Sequence, residues 1–334
     1  MTSLVTGAGG FLGQYIVEQL VTRGDRVRAL VRRKAAALEA LGVECIHGDI
    51  QELADVKRAC RDVEVVFHVA AVAGLWGPWK HYYDTNVLGT KNVISGCCHA
   101  GVTRLVFTSS PSVTFAGRDQ CGVDESEPYP TRWLAHYPHT KALAEQLVLK
   151  ANGEHHLLTC ALRPHLIWGP RDQHLIPRLL DRARKDQLRQ VGDGKNMIDA
   201  VYVENAAAAH LLAADALRPD APVCGKAYFI SNGESVNCWR WINDILQLAG
   251  IAPVTRKISL PAAYAAGAAL EGLWTLLRRT DEPRMTRFLA AQLGTSHYFN
   301  IAAARRDLSY VPHVSMAEGM RRLAAWLRPL TADG

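Results

Sequence analysis

The sequence predicts an α/β fold: a doubly wound parallel sheet with a smaller, mostly helical C-terminal lobe. Three observations predict it. Short apolar runs alternate with helical patterns through about residue 165, a glycine-rich turn joins the first run to the first helix, and the alternation breaks up beyond Ile167 to Asp172.

The first element is a short strand around Leu4 and Val5, followed in MTSLVTGAGGFLGQ by Gly7, Gly10 and Gly13 and by a helix whose Phe11, Leu12, Tyr15, Ile16 and Leu20 recur at helical spacing. In such a turn the first glycine permits a tight bend, the second lets backbone approach a ligand, and the third lets helix pack on strand. Free N–H groups of the helix's first turn then face a pyrophosphate. Gly7, Gly10, Phe11, Leu12 and Gly13 are therefore candidate cofactor contacts. The spacing is GxxGxxG, so the GxGxxG fingerprint is met loosely and the Rossmann-type reading needs support downstream.

The second strand, RVRALV, ends at Arg32, Arg33 and Lys34, nineteen residues and more beyond Gly13. NAD sites usually hold an acid there for the ribose 2′-hydroxyl, whereas arginine can bind a 2′-phosphate bidentately. This favours NADP(H), with NAD(H) the alternative and a solvated basic turn the bland reading. The runs VECIHGD, VEVVFHVA, TRLVFTSS and HLLTCALR continue the rhythm, joined by right-handed crossovers. Residues 1–165 thus read as a dinucleotide-binding domain to which later segments return. Residues 166–334 read mainly as a substrate-binding lobe, built of LIPRLLDRARK, the turn VGDGKN, the helix VENAAAAHLLAADAL, an isolated strand KAYFIS and further helices. Ligands of open α/β sheets bind beyond the carboxyl ends of the strands, which places the substrate between the lobes.

Composition narrows the function. With 334 residues, 49% of them hydrophobic, the chain can bury a full core. Its 38 basic and 32 acidic residues are scattered, without the basic block or aromatic interleaving of a nucleic-acid groove. Eight cysteines without CxxC spacing read as reduced core thiols. Residues 1–6 run straight into the first strand and leave no room for a signal peptide, so a cytoplasmic protein is expected. The segment Leu260 to Leu277 is apolar except for Glu271. Its alanines, opening proline and charge make it a poor membrane span, so a buried or substrate-covering helix is expected, with peripheral contact at a membrane surface the alternative.

The sharpest local signal is YPHTK. Tyr137 and Lys141 stand at i and i+4 on one helix face, after a strand whose end, FTSSPS, places hydroxyls at its carboxyl terminus. Taken together, TGAGGFLG, GDI at 48–50, HVAA at 68–71, Asn86 in YDTNVLGT, FTSSPS, YPHTK and LRPHLIWGP at 162–170 resemble the extended short-chain dehydrogenase/reductases, most closely over the first half of the chain. RPHLIWGPRD, VGDGKN and VYVEN resemble the 3β-hydroxysteroid dehydrogenase branch. Within it, AVAGLWGPWKHYY and GKAYFISNGE are similar to bacterial reductases of 2-alkyl-3-oxo acids, with the decarboxylating sterol-4α-carboxylate dehydrogenases a close second. The resemblance implies Ser110, Tyr137 and Lys141 as catalytic residues. Pro111 departs from the usual small residue and leaves Ser109 or Ser112 open as substitutes. It also implies that Asp49 and Ile50 flank the adenine, that Ala70, Ala71 and Pro164 contact the cofactor, that Lys141 holds the nicotinamide ribose, and that the chain forms a homodimer.

In the reducing direction Tyr137 would supply the proton and Ser110 a hydrogen bond to the same oxygen. Poising a phenol of pKa about 10 near neutrality takes about 3–4 kcal/mol. A lysine at about 4 Å, in an effective dielectric of about 20, supplies about 4 kcal/mol unless desolvation cancels it.

For the substrate, Leu75, Trp76, Trp79, Tyr82 and Tyr83 in one segment and Trp168, Leu175 and Ile176 in another read as walls of a long apolar pocket, or as core. Lys80, His139, His165, Arg171 and His174 are the cationic groups available as a carboxylate anchor, Arg171 foremost, with a plain surface loop over His165 to His174 the bland reading; none has metal-ligand spacing, and no metal is assigned. The expected substrate is a lipid-like small molecule, a 3-oxo acid with a long 2-alkyl chain, and partner enzymes of a lipid pathway are the expected associates. A non-catalytic NADP-binding regulator is disfavoured by the intact Ser110, Tyr137 and Lys141 set. A nucleotide-sugar epimerase or dehydratase is disfavoured by the apolar, aromatic segments.

Overall fold

The computed structural model describes residues 1–332, with side chains through Arg328; the last two residues of the expected lobe, 333–334, lie outside the described residues. Seven strands form the central sheet: β1 (Thr2–Thr6), β2 (Arg26–Val31), β3 (Glu44–His47), β4 (Val65–His68), β5 (Arg104–Thr108), β6 (Leu158–Pro164) and β7 (Lys226–Ile230). They lie in the order β7-β6-β5-β4-β1-β2-β3, all parallel. Each run read from the sequence is a strand. KAYFIS, expected to stand alone, instead pairs with β6 from Lys226 to Ile230, because the helix before it carries the chain back along the sheet.

Helices cover both faces, which is why the strands read as continuous apolar runs. On one face α1 (Phe11–Thr22) packs through Ile16, Val17 and Leu20 against alanines of the Val203–Ala216 helix. On the other, Val93 and Cys97 of α2 (Gly89–Ala100) and Ala144 and Val148 of α3 (His136–Lys150) cover Leu105 and Phe107 of β5. In chain order the alanine-rich helix is α4 (Val203–Ala216), followed by α5 (Leu260–Leu276) and α6 (Arg287–Gly294). The strand order reverses beside β1, so the ends of β1 and β4 flank the crevice where such sheets bind ligands.

Outside the sheet a second core gathers around Trp168, Trp241 and Ile176. Trp168 is fully buried edge-on to Trp241, at 5.7 Å between centroids. Trp168 and Ile176 are therefore core residues, and neither is among the walls of the aromatic cavity described below. Helix α5 is neither a membrane span nor a buried helix. It buries only Ala263, Gly267 and Glu271 along one stripe, and no helix among the described residues is long and apolar enough to cross a membrane. At Gly267 a Cβ would lie 2.6 Å from the carbonyl carbon of Thr286, so glycine sets how closely α5 meets the start of α6. Glu271, the lone charge of the apolar segment, accepts the backbone N–H of Arg287 at 2.7 Å and its Nε at 2.6 Å.

Candidate active site

The turn between β1 and α1 packs backbone on backbone too closely for side chains at Gly7 and Gly13. A Cβ at Gly13 would lie 2.1 Å from the carbonyl oxygen of Gly7, and one at Gly7 would lie 2.7 Å from the nitrogen of Ala70. Gly10 donates its N–H to Gly7 at 2.9 Å and leads into α1, whose first turn has no side-chain cap and no acid. Those N–H groups are thus available to an anion. Leu12 is buried, and Phe11 meets Tyr15 edge-on at 5.9 Å.

At the end of β2, Arg32, Arg33 and Lys34 are exposed. Ile50 is buried over Gly89, and Asp49 is fixed by its N–H to Asp55 and by accepting from Gln51, each at 3.0 Å. Beyond β4, Ala70 is half-buried and Ala71 exposed. The next residue, Val72, is held on both sides by Asn86: its N–H donates to Oδ1 at 2.8 Å, and its carbonyl accepts from Nδ2 at 3.0 Å. Asn86 also donates to Thr140 of α3 at 3.0 Å, tying this loop to the helix of Tyr137. Pro164 is buried at the end of β6. The glycine cradle and the uncapped helix start suit a dinucleotide's pyrophosphate, and the residues around them fit a nicotinamide dinucleotide.

Ser110, just beyond the end of β5, lies near enough to the Tyr137 hydroxyl to favour its ionised form. Its Oγ lies 2.8 Å from that of Ser112 and accepts the Ser112 N–H at 3.2 Å, capping a single 3-10 turn, Pro111–Thr114. Pro111 opens that turn, where its fixed φ suits and its missing N–H costs nothing. Of the three serines only Ser110 acts on the Tyr137 hydroxyl, while Ser109 has a buried Oγ without a hydrogen-bond partner. Lys141 is 2% exposed, donates to the Thr108 carbonyl at 2.5 Å and lies 4.0 Å from the centroid of the Phe107 ring.

Burial dominates the electrostatics. It pushes the Tyr137 phenol up, against a smaller pull from Ser110, and pushes the Lys141 ammonium down to about 7, against the opposing charge of Glu145. The lowering of Tyr137 expected from Lys141 is not what sets its direction: burial and Ser110 do.

Beside this cluster lies a cavity of about 1050 Å³ whose walls include Trp76, Trp79, Tyr82, Trp133, His136 and His139. Trp133 stacks on His139 at 4.9 Å, Trp79 contacts the same ring at 4.9 Å, and the Tyr82 hydroxyl donates to the Trp76 carbonyl at 2.8 Å. The aromatic segment read from the sequence is thus wall, and α5 closes the opposite side with Trp274.

The cationic residues are placed otherwise than expected. Arg171 spans both oxygens of Glu18 at 2.5 and 2.9 Å and lies over the Tyr15 ring at 4.0 Å, on α1. His165 is buried and shares a 2.7 Å hydrogen bond with His297, and burial holds it well below the usual histidine range. His174 precedes the Leu175–Arg184 helix and donates its backbone N–H to Asp172; Lys80 pairs with Asp84. None of the four lines the cavity. The cations that do are Arg278, Arg279 and Arg287, which the sequence reading missed. Arg287 is held by Glu271 and Arg279 by Asp281, whereas Arg278 has no ion-pair partner among the described residues. The signal was WTLLRR, basic residues closing an apolar helix.

Residues 4–262 match the model of the 3-beta hydroxysteroid dehydrogenase/isomerase family. The chain belongs to that family. Like the family's reductases and dehydrogenases, it is an NAD(P)-dependent oxidoreductase acting on CH–OH and C=O groups. Family members similar to it include a 2-alkyl-3-oxoalkanoate reductase of Stenotrophomonas maltophilia, 50% identical over 97% of this chain and 99% of that protein. Another is a decarboxylating sterol-4-alpha-carboxylate 3-dehydrogenase of Mus musculus, 36% identical over 98% and 91%. Among solved structures, MoeE5 in complex with UDP-glucose and NAD superposes with a TM-score of 0.74 at 28% identity, covering 99% of each chain.

Proposed function

We propose that this chain reduces a long-chain 2-alkyl-3-oxo acid to the 2-alkyl-3-hydroxy acid, using NADPH. The observation that carries this reading is the 50% identity, over nearly the whole of both chains, to a reductase named for that substrate.

In this reading the α1 N-terminus and its glycines hold the pyrophosphate, Arg32 and Arg33 the 2′-phosphate, and Asp49 and Ile50 the adenine. Ala70, Ala71 and Pro164 line the remainder, and Lys141 bonds the nicotinamide ribose. The bound nicotinamide supplies hydride to the carbonyl carbon. Tyr137 gives its proton to the carbonyl oxygen, and Ser110 donates a hydrogen bond to that oxygen as charge develops there. A cationic Lys141 favours the phenolate that Tyr137 becomes. The aromatic cavity takes the alkyl chains. The carboxylate falls to Arg278, the cavity arginine with no ion-pair partner among the described residues, in place of Arg171.

The mouse relative supports a second reading: oxidation of a sterol alcohol followed by loss of the neighbouring carboxylate as carbon dioxide. Supplying a 4-carboxysterol with oxidised cofactor, against a 2-alkyl-3-oxo acid with NADPH, separates the two. Carbon dioxide release from the sterol, without turnover of the oxo acid, would replace the first reading with the second.

A further inference from the structure

Four residues beyond Lys141 on the same face of α3, the chain buries a third ionisable group, Glu145, with no exposed surface. Its carboxylate accepts from Arg163 of β6, Nη2 to Oε1 at 2.6 Å and Nε to Oε2 at 3.0 Å, and from the Tyr129 hydroxyl at 2.7 Å. Packing is a poor reason for this arrangement, since apolar side chains of similar volume hold a helix to a strand without desolvating two charges.

Lys141 supplies a better reason. Its ammonium is buried against the Phe107 ring, with the Thr108 carbonyl as its hydrogen-bond acceptor. The groups facing it from neighbouring elements bring no negative charge. His68 of β4 is held neutral by burial, with Thr6 and Thr90 on its two nitrogens. His210 of α4, bonded to the Thr108 hydroxyl, is likewise neutral. Tyr137 is a phenol, and Arg163 is a cation. Glu145 is the carboxylate whose charge favours the ammonium.

We propose that Glu145, clamped by Arg163 and Tyr129, is a positioning residue for the reaction, its fixed negative charge keeping Lys141 cationic beside Tyr137. The proposal rests on the reading of Lys141 given above. Glu145→Gln leaves the Arg163 charge facing Lys141, which then loses its proton at lower pH. Replacing both partners, Glu145→Gln with Arg163→Met, removes the net stabilisation of the ammonium by a smaller amount and strands no buried charge, so the double variant keeps the test available if the single one does not fold.

The test is the single-turnover rate of reduction at saturating NADPH, followed from about pH 5 to about pH 10. The basic limb of the profile is expected about one pH unit or more lower in Glu145→Gln, lower by less in the double variant, and near its wild-type place in Glu145→Asp. A merely structural pair would depress the rate at every pH and leave the limb unmoved, which overturns the proposal. Lys141→Met separates the two levels. A limb that persists there overturns the reading of Lys141 together with the proposal, whereas a limb lost there but unmoved in both Glu145 variants overturns the proposal alone.

Discussion

Trp76 donates its indole N–H to the carbonyl of Arg279 at 3.0 Å, joining the loop after β4 to the segment after α5 across 203 residues of sequence. The aromatic wall and the cavity's arginines are thus halves of one site, brought together only by the fold. Trp76→Phe, which keeps an aromatic ring and removes the donor, is expected to raise KM for a long-chain substrate several-fold while leaving NADPH affinity unchanged. Steady-state kinetics beside cofactor titration check this.

Tyr137→Phe removes the proposed proton donor and little else. The chemical step should fall by about 10²–10⁴ with NADPH affinity near wild type. Stopped-flow oxidation of NADPH reads the first quantity and fluorescence titration the second; retention of most activity would assign the acid to another group.

Arg32→Asp places a negative charge where the 2′-phosphate would sit and should reverse the preference between NADPH and NADH. The ratio of kcat/KM for the two cofactors decides it.

Arg278→Ala should weaken the acid substrate by about 1–3 kcal/mol and leave a neutral ketone of the same chain length unaffected. Arg171→Ala should leave both untouched and lower stability by about 1 kcal/mol or less, because its half-exposed partner is Glu18.

Burial holds His68 down to about 3 and His210 down to about 4. Below the ordinary histidine range the unfolded chain takes up protons that these two rings refuse, so acid favours unfolding. Stability from this source is intact above about pH 6.5 and falls as the pH drops toward about 4, by about 1.4 kcal/mol per pH unit for each histidine. Urea melts at several pH values measure the slope, and His210→Gln should lessen it.

What could be read from the sequence was what is local along the chain. Strands covered on both faces show as apolar runs, and Tyr137 with Lys141 shows as one helix face, because each pattern needs only neighbouring residues. Partnerships across the chain left no such trace. Arg171 read as a free cation because Glu18 lies 153 residues earlier, and His165 because His297 lies 132 residues later. Arg278 reaches the cavity only because Gly267 and Glu271 fix α5 against α6. β7 was legible as a strand, yet its place beside β6 depends on a crossover that no short window contains.

The most direct test of the proposed reaction compares kcat/KM, with NADPH, for a long-chain 2-alkyl-3-oxo acid and for the ketone left when that acid loses carbon dioxide. The account predicts clear preference for the acid, abolished in Tyr137→Phe and lessened in Arg278→Ala. Equal or faster reduction of the ketone would contradict it.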